Sequence, residues 1–300
     1  MKLSICIPVY NFDVRGLVFD LKREIENHRM DAEIILIDDA SKERFNTLNR
    51  EIKDKVSRFV FLSENLGRSR IRNLFLDFST GEYLLFLDCD GKIIQDDFVQ
   101  KYIQFIEENP ATTVIYGGRE VPEERPDPDH YLRWKFAVER ENLPVEFRKK
   151  KPYLSFQTNN FIIRKEVLVK VNFNPDYKKY GYEDLLFAMD LKSENIRIDH
   201  IYNPILNNDL ENNLVYLGKV EESVESLSAM LKHEGLDSKL SEVKLVKMYH
   251  KINRSFLNSV FLLLFKAGED RAKKKLLNGN INLRYLDFYK LGLLFRKMKS

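Results

Sequence analysis

The stretch of residues 81–91, GEYLLFLDCDG, constrains the fold of this chain more than any other. A glycine leads into six residues of which five are apolar, and the run delivers Asp88, Cys89 and Asp90 at its end. A continuous apolar run bounded by turn residues is typical of a central strand covered on both faces by helices. Because ligands of open α/β sheets bind beyond the carboxyl ends of the strands, Asp88 and Asp90 stand where a site is expected.

Two carboxylates separated by one residue can be directed at one hard cation. Magnesium or manganese takes such oxygen ligands and keeps further positions for phosphate groups. The alternative is a strand-end turn, because aspartate and glycine are common turn residues and an Asp-x-Asp triplet is short and frequent. The stretch by itself leaves both interpretations open.

Composition limits the class of protein. A chain of 300 residues with 44% hydrophobic and 12% aromatic content is not disordered, and it suits one large domain or one domain with an extension. Its two cysteines do not indicate a disulfide framework, which favours a reducing cytoplasm. No long apolar leader follows Met1 and no stretch reaches the ~18 apolar residues of a membrane span, so we expect a protein that is neither secreted nor integral to a membrane.

The charge is uneven along the chain. Residues 271–300 carry nine Lys or Arg and one acid, Asp287, although the net charge of the whole chain is only +3. Apolar residues are interspersed with these cations: Leu286, Tyr289, Leu293, Phe295 and Met298. The pattern indicates either a basic amphipathic helix on an anionic membrane surface or a helix packed on the domain with a solvated basic face.

Apolar runs alternate with helical patterns in the first half, which predicts a mainly parallel sheet with covering helices. The predicted strands are 3–9, 33–37, 59–62, 82–87, 112–116 and 196–201. The predicted helices are 14–28, 41–56 with Ser41 as its cap, 68–78 and 96–108. Proline-rich residues 117–152 read as a loop-rich insertion with one helix, and the chain looks wholly helical from about residue 218.

Three of the predicted strand ends carry polar groups suited to a ligand. They are residues 8–11 at the end of the first, Asp38 and Asp39 after the second, and residues 88–90 after the fourth. Because the carboxyl ends of parallel strands meet at one edge of a sheet, this convergence favours a binding site over an isolated turn.

These groups suit a nucleotide. The Asp39 carboxylate can accept from an N–H of uracil or another base, and Tyr10 offers a ring for stacking. Backbone N–H groups near a helix start can meet phosphate. Arg70 and Arg72 lie in the helix after Gly67, and one of them could reach diphosphate oxygens, although an isolated arginine more often lies on a solvated helix face.

Two familiar phosphate-binding motifs are absent from the sequence. The chain has neither G-x-x-x-x-G-K-[ST] nor a G-x-G-x-x-G after the first strand. An Asp-x-Asp site without such loops points to a sugar nucleotide held through its diphosphate and a metal ion.

Five segments stand in the order and spacing of one enzyme family. They are SICIPVYN, ILIDDAS, ENLGRSRIRN, GEYLLFLDCDG and YGYEDLLFAMDL. Over about residues 2–213 they resemble glycosyltransferase family 2, whose members have the GT-A nucleotide-diphospho-sugar transferase fold. The resemblance implies an α/β fold with a mainly parallel central sheet flanked by helices, followed here by a C-terminal helical extension.

The resemblance also implies site residues. A nucleotide-sugar pocket would be lined by Pro8, Val9, Tyr10, Asn11, Asp39, Asn65, Gly67, Arg70, Asp88 and Cys89. Asp88 and Asp90 would hold Mn²⁺ or Mg²⁺. Asp184, beside Glu183, would be the base that takes the proton of the acceptor hydroxyl in an inverting displacement. Both acids also suit the first turn of a helix for structural reasons alone.

One position departs from the family pattern. Members like this one often carry a histidine shortly after the last strand as a further metal ligand, and Asn207 stands there, with Asp209 in place of an expected glycine. An asparagine carbonyl is a weaker neutral oxygen ligand, so metal affinity is in question. His200 lies nearby in the sequence, and we interpret it as a structural strand residue.

Acceptor recognition is expected in the second block of the chain. The segment FQTNNFII resembles the family segment beneath the acceptor site, which makes Asn159 and Asn160 candidates. Trp134 and Tyr182 are candidate sugar-stacking platforms, and packing within a helix is the equal alternative for Trp134.

We therefore expect a glycosyltransferase domain over residues 1–215, with a nucleotide-binding half (1–116) and an acceptor half (117–215), and a helical extension over 216–300. The expected activity is hexosyl or N-acetylhexosaminyl transfer from a UDP-sugar to a glycan or lipid-linked acceptor in surface polysaccharide assembly. No nucleic-acid partner is expected. The expected location is cytoplasmic, or peripheral at the inner face of the membrane if the basic tail docks there.

The alternative function is a catalytically weak GT-A scaffold that recruits other transferases through its helical tail. Asn207 is its main support. The presence of Asp39, Asp88, Asp90 and Asp184 argues against the scaffold function, because these are the expected nucleobase, metal and catalytic residues.

Overall fold

The computed structural model describes residues 1–177, 179–207, 209–279 and 281–299. The chain forms two compact units, and each is made of several segments. The first unit comprises Met1–Pro122, Glu141–Lys178 and Glu183–Asp209, and the second comprises Glu123–Arg140, Lys179–Tyr182 and Leu210–Ser300. This division differs from the boundaries expected from the sequence, because part of the proline-rich insertion groups with the C-terminal helices.

The first unit is built on two sheets. Their strands are β1 Leu3–Val9, β2 Ala32–Asp38, β3 Arg58–Phe61, β4 Tyr83–Leu87, β5 Gly91–Lys92, β6 Val114–Tyr116, β7 Arg119–Glu120, β8 Asn160–Arg164, β9 Asp199–His200 and β10 Ile205–Asn207. Across the described residues, the main sheet has seven strands in the order β3-β2-β1-β4-β8-β6-β9, and the small sheet has the order β5-β10-β7.

Most neighbours in the main sheet are parallel, which confirms the predicted α/β class. Strand β1 pairs in parallel with β2 and β4, β2 pairs in parallel with β3, and β6 pairs in parallel with β9. Strand β8 is antiparallel to both β4 and β6. Neither β8 nor the small sheet was predicted from the sequence. The apolar run FII of β8 is followed at once by a helical pattern, and the strands of the small sheet are only two or three residues long.

Helices cover the sheet on both faces. Those of the first unit are α1 Arg15–Asn27, α2 Glu43–Arg50, α3 Arg68–Leu74, α4 Phe98–Glu108, α6 Val145–Lys150, α7 Lys165–Lys170 and α8 Glu183–Ser193. Strand β4 is buried along its whole length. Leu85 and Leu87 enter one hydrophobic core while Leu84 and Phe86 enter the other. The run is continuously apolar because the strand is buried on both faces of the sheet, as the sequence predicted.

Two predicted helices are shorter than expected. The helix predicted over 41–56 is α2 followed by a 3₁₀ turn at Lys53–Lys55, and the one predicted over 68–78 is α3 followed by a 3₁₀ turn at Phe75–Asp77. The Ser41 side chain does not cap α2, because its Oγ accepts a hydrogen bond from the backbone N–H of Asn11 at 2.8 Å. The serine thus joins two strand ends instead of starting a helix.

The second unit is helical. Its helices are α5 Tyr131–Phe136, α9 Asn213–Lys232, α10 Leu236–Lys239, α11 Lys244–Asn253, α12 Leu257–Leu277 and α13 Leu283–Lys299. In the part of the chain that the structure describes, no helix combines the length and the apolar character needed to cross a membrane.

The basic tail is a packed helix rather than an exposed amphipathic one. The apolar residues Leu286, Tyr289, Leu293 and Phe295 of α13 are all buried. Two of its cations pair with acids of the same unit: Arg296 with Glu269 at 2.9 Å and Lys297 with Glu225 at 3.0 Å. Of the two interpretations left open by the sequence, the structure therefore shows the helix packed on its domain.

Candidate functional site

The end of β4 carries a buried ion pair. Arg72, on α3, is 2% exposed and donates from Nη2 to Asp88 Oδ1 at 2.8 Å. Its Nη1 donates to the carbonyl of Arg68 at 3.1 Å, while its buried Nε meets no acceptor among the described residues. A guanidinium in such a position is held by the fold, and its charge is directed at the carboxylate that ends the strand.

Asp90 meets Asn207 through the small sheet. Strands β10 and β5 are antiparallel with Asn207 opposite Gly91, and this register brings Asn207 Nδ2 to 2.7 Å from Asp90 Oδ2, to which it donates. Burial raises the pKa of Asp90 above its ordinary value, and the neighbouring charge of Asp88 adds to this effect. Arg119 and Arg68 act in the opposite direction.

The structure therefore brings together all three residues predicted to hold a metal. As arranged here, Asn207 presents an N–H to Asp90, so its carbonyl oxygen would face a shared cation only after the amide turned over. Over the described ranges, no group of three or more His, Cys, Asp or Glu residues converges as a ligand set. Any divalent ion at Asp88 and Asp90 would need water or substrate oxygens to complete its coordination.

Asp39 organises the loop that follows β3. It is 5% exposed, and its carboxylate accepts from the N–H groups of Leu66 at 2.7 Å and Gly67 at 3.1 Å. The side chain of Asn65 donates to the Asp39 carbonyl at 3.0 Å. Burial raises the pKa of Asp39 above the ordinary range, although the two N–H donors act against this. Gly67 has φ of 80°, a backbone conformation in which side chains other than glycine are strained.

The ends of β1 and β2 are tied to each other. The N–H of Asp39 donates to the Val9 carbonyl at 2.8 Å, and the N–H of Ser41 donates to Asp38 Oδ1 at 2.7 Å. Asn11 has φ of 53° and accepts the N–H of Lys42 at its Oδ1. These bonds hold the chain after β1 in a fixed turn.

Tyr10 leaves that turn toward solvent, with 54% of its surface exposed. Its backbone N–H interacts with Cys89, so the ends of β1 and β4 also meet. Burial raises the pKa of the Cys89 thiol to about 12, which keeps the thiol neutral near pH 7. Val9 is buried and Pro8 partly buried.

The two candidate arginines of α3 have different environments. Arg70 donates from Nε to the carbonyl of Pro175 at 3.0 Å on the surface, whereas Arg72 is buried on Asp88. Sequence reasoning selected Arg70 as the site residue and gave no role to Arg68. The spacing along the helix could have indicated Arg68, because Arg68 and Arg72 are four residues apart and share one face of the helix.

Glu183 and Asp184 open α8. Arg68 Nη1 lies 3.6 Å from Glu183 Oε1, and the Glu183 side chain is 5% exposed. Asp184 Oδ1 accepts the N–H of Leu185 at 2.7 Å. Burial raises the pKa of Asp184 to about 7 and the neighbouring Glu183 carboxylate contributes, against the lowering effect of Arg68 and Arg72. The same arginines thus act on the acids of α8 and on the end of β4.

Several buried polar atoms around these groups have no hydrogen-bond partner within the described residues. They are Asn159 Nδ2 and Oδ1, Tyr116 Oη, Arg119 Nε and Arg72 Nε. Asn159 is next to the strand end, since its carbonyl accepts the N–H of Asp88 at 3.0 Å. Buried polar atoms are almost always satisfied in native proteins, so this concentration of unpaired ones indicates a place for a polar ligand.

Asn160 has a structural role instead of the acceptor contact predicted for it. It is fully buried, and its Nδ2 donates to the carbonyls of Gly118 at 2.9 Å and Asn203 at 2.8 Å. Its Oδ1 accepts from the Tyr102 hydroxyl at 2.6 Å. Because both ends of the amide are used, the side chain is not available to a substrate. Its neighbour Asn159 is the one with free hydrogen-bonding capacity.

His200 is structural, as expected. Its Nε2 donates to the Pro152 carbonyl at 3.0 Å and its Nδ1 lies 3.4 Å from Arg148 Nη1. Burial, followed by the charge of Arg148, lowers the pKa of His200 to about 4, so the ring is neutral.

A cavity of about 280 Å³ lies in the first unit. It is lined by residues of β7, the segment 141–145, Arg148 and Tyr202. Arg119 bounds it and donates from Nη1 to Glu141 Oε2 at 3.3 Å. Since the charge of Arg119 also lowers the pKa of Asp90, the cavity is a candidate subsite next to the end of β4.

The remaining two candidates belong to the second unit. Trp134 stacks on Tyr131 with ring centroids 5.5 Å apart. Tyr182 has φ of 68°, and Lys290 Nζ lies 5.7 Å from the centroid of its ring.

Comparison with known proteins gives one family match and several relatives. Residues 4–171 match the family model described as Glycosyl transferase family 2. A glycosyltransferase of Haemophilus influenzae with uncharacterised function is 34% identical over 112 residues, which cover 36% of this chain and 43% of that one. The cholesterol galactosyltransferase of Borreliella burgdorferi is 24% identical over 295 residues, which cover 88% of this chain and 75% of that one. The chain thus spans less than half the length of the first of these relatives.

Solved structures agree with the family match. TarS of S. aureus, residues 1–349 in complex with UDP-GlcNAc, superposes with a TM-score of 0.55 at 18% identity, covering 100% of this chain and 90% of that one. The mannosyltransferase PcManGT of Pyrobaculum calidifontis, in complex with GDP-Man and Mn²⁺, gives a TM-score of 0.57 at 14% identity, covering 99% and 86%. At these identities the likeness shows the fold, and it confirms the expected GT-A class.

Proposed function

Because this chain belongs to glycosyl transferase family 2, we propose that it transfers a sugar from a nucleotide diphosphate sugar to an acceptor hydroxyl with inversion at the anomeric carbon. The observation that carries the proposal is the contact series within the first unit. Asp39 is tied to β1, β1 meets Cys89, Arg72 pairs with Asp88, and Arg68 approaches Glu183. We assign transfer to this unit and treat the helical unit as its extension.

The donor is proposed to bind along the ends of β1, β2 and β4. Tyr10 is exposed enough to stack on a base, and Asp39 keeps lone pairs beyond those used by Leu66 and Gly67. Pro8, Val9, Asn11, Asn65, Gly67, Arg70 and Cys89 complete the proposed pocket. A UDP-sugar is the proposed donor, supported by TarS, which was solved with UDP-GlcNAc.

The carboxylates at the end of β4 fit a divalent cation. Asp88 Oδ2 and Asp90 Oδ1 have no hydrogen-bond partner within the described part of the chain, and each neighbouring oxygen is already engaged. We propose that these two oxygens, with Asn207 nearby, hold Mn²⁺ or Mg²⁺, which would neutralise charge on the diphosphate. PcManGT, solved with Mn²⁺, supports a divalent ion in this fold.

The protein side chains account for the remaining chemistry. Asp184, with a pKa raised to about 7, is proposed as the base that removes the proton from the acceptor hydroxyl as its oxygen attacks the anomeric carbon. The bond to the diphosphate breaks with its electron pair moving to the leaving group. Arg68 and Arg72 are placed to stabilise the negative charge that develops there.

For the acceptor we propose a glycan or lipid-linked saccharide of surface polysaccharide assembly. The unpaired amide of Asn159 and the cavity bounded by Arg119 supply polar contacts in the first unit. Trp134 and Tyr182 remain proposed stacking platforms. The name of the Borreliella relative, a cholesterol galactosyltransferase, supports galactose as one sugar to be tested and a sterol as one acceptor.

A scaffold role is the second candidate. The observation that favours it is the position of Asn207, which donates to Asp90 where a metal-binding histidine is usual. The raised pKa of Asp184 favours the enzyme, because it suits a base that works near neutral pH.

A donor screen separates the two. The full chain is incubated with Mn²⁺ or Mg²⁺ and each of a panel of UDP-, GDP- and dTDP-sugars, and release of the nucleoside diphosphate is followed. If the protein is an enzyme, we expect metal-dependent release of the nucleoside diphosphate with at least one donor. Asp184→Asn should abolish this release, while calorimetry should still detect donor binding. Binding without release in the wild type, with or without a panel of acceptors, would support the scaffold.

A further inference from the structure

Helix α12 exposes an apolar face on the second unit. Phe256, at its N-cap, and Leu257, Val260, Leu263 and Leu264 are 90%, 47%, 52%, 70% and 60% exposed. Their spacing follows successive turns of a helix, so they form one continuous stripe. We refer to these five residues as the α12 stripe. Contiguous exposed apolar surface of this kind marks an interaction site more often than isolated exposed side chains do.

Exposed cations occur on α12 and on the helix that precedes it. Lys247, Lys251, Arg254 and Lys266 are all exposed, and none forms an ion pair within the described residues. Farther along the same face of the helix, Arg271 and Lys274 are also exposed. Of the two acids in α12, Glu269 accepts from Arg296, which leaves Asp270 as the exposed one.

We propose that the α12 stripe docks on the surface of an anionic lipid membrane. The apolar side chains would enter the interface between headgroups and acyl chains, while the surrounding lysines and arginines would contact anionic headgroups. Helix α12 lies on the membrane in this arrangement and does not cross it, in keeping with the absence of a spanning helix from the described residues. The basic tail does not offer such a stripe, because most apolar residues of α13 are buried and Met298 is partly buried.

Charge favours a membrane over a second copy of the chain. In a symmetric dimer formed through the stripe, each cation-rich border would meet the same border of the other copy, and like charges would be brought together. An anionic bilayer supplies the opposite charge over its whole surface, and it also accepts apolar side chains at variable depth. Because salt screens the attraction between these cations and the anionic bilayer, we expect binding to be stronger at low ionic strength.

The test uses the full chain and flotation with two kinds of vesicle, phosphatidylcholine alone and phosphatidylcholine mixed with phosphatidylglycerol. The wild type should float with the mixed vesicles at low salt and less at high salt. The double variant Leu263→Gln/Leu264→Gln should lose at least about tenfold in vesicle affinity, because two large apolar side chains no longer leave water on binding. Lys251→Glu/Lys266→Glu should weaken binding mainly to the anionic vesicles.

A matched control is available in α9. Leu214 is 66% exposed and Val215 is 47% exposed, so Leu214→Gln/Val215→Gln removes similar surface away from the stripe and should leave flotation unchanged. Equal loss in the control and in the stripe variant would overturn the proposal, as would a wild type that fails to float. A wild-type dimer that the stripe variant converts to a monomer, without vesicle binding, would instead assign the stripe to self-association.

Discussion

Arg72 Nη2 and Asp88 Oδ1 are joined at 2.8 Å beneath the end of β4, and the arginine is one of the largest fully buried side chains of the chain. The pair makes the strand end less negative than two adjacent aspartates would be alone. It also holds a positive charge beside the carboxylate that ends β4. If the proposed reaction occurs at this strand end, we expect changes to the pair to affect both the stability of the first unit and the rate of transfer.

Removing the arginine should be costly. Arg72→Gln leaves Asp88 without its partner, and we expect the free energy of unfolding to fall by about 2–3 kcal/mol, less than for a fully buried pair because the Asp88 side chain is 26% exposed. Urea unfolding at neutral pH measures it. Arg70→Gln, on the exposed side of the same helix, should change the value by less than about 0.5 kcal/mol. Equal losses would mean that helix packing, and not the ion pair, is responsible.

The pH dependence of transfer should report Asp184. With its pKa raised to about 7, the base is protonated below that pH, so kcat/KM should fall about tenfold for each pH unit below 7 and become level above it. Asp184→Asn should lower the rate by about 10²–10⁴ and abolish this limb. A profile that stays level down to pH 5, at saturating metal, would contradict the assignment of Asp184 as the base.

The same residue should limit stability. A carboxyl whose pKa is higher in the folded than in the unfolded chain binds its proton more tightly when folded, so stability falls as pH rises from about 4 to 7 and stays low above that range. Asp184→Asn removes the buried charge. We expect it to raise the Tm by several degrees at pH 8 and by little at pH 4.5, measured by calorimetry. A variant that is less stable than the wild type at pH 8 would show that the charge is well compensated in the fold.

Metal dependence should respond to Asn207. Asn207→His replaces a donor to Asp90 by an imidazole that can coordinate a divalent ion, and we expect the Mn²⁺ concentration for half-maximal activity to fall about tenfold. Asn207→Ala is the matched control, since it removes the hydrogen bond to Asp90 without adding a ligand. If both variants require the same Mn²⁺ concentration as the wild type, Asn207 lies outside the coordination sphere.

Local patterns predicted the parts of the fold that depend on neighbouring residues. Strand β1 has the predicted bounds, and β2, β3 and β4 agree within one residue at each end. Asp39 and Asp88 stand at strand ends because an apolar run must stop before a carboxylate can find N–H donors, a cation or water. The proximity of Asp90 and Asn207 could not be predicted in this way, because it depends on the register of two very short strands. The first residues of these strands, Gly91 and Ile205, are 114 positions apart in the sequence.

The different environments of the two arginines of α3 follow from helix geometry. Arg70 and Arg72 are separated by about 200° around a helix, so only one can face the sheet. Ile71 and Phe75 are buried, which puts Arg72 on the packed side and Arg70 on the outer side. A helical projection of the segment would have indicated that Arg72 is the buried one of the two. The environment of Asn160 required the long-range contacts to Gly118 and Asn203, which no local pattern encodes.

The antiparallel strand β8 has a consequence for biosynthesis. It lies between β4 and β6, so β6 leaves the ribosome at residue 116 with neither of its neighbours in the sheet yet made. At ordinary rates of elongation, roughly 2 to 10 s pass before residue 160 follows. Until then β6 is an unpaired edge, and the N–H of Asp88 lacks the Asn159 carbonyl that later accepts it. The nascent chain therefore completes its main sheet late, and truncated products that end before β8 should aggregate or be degraded.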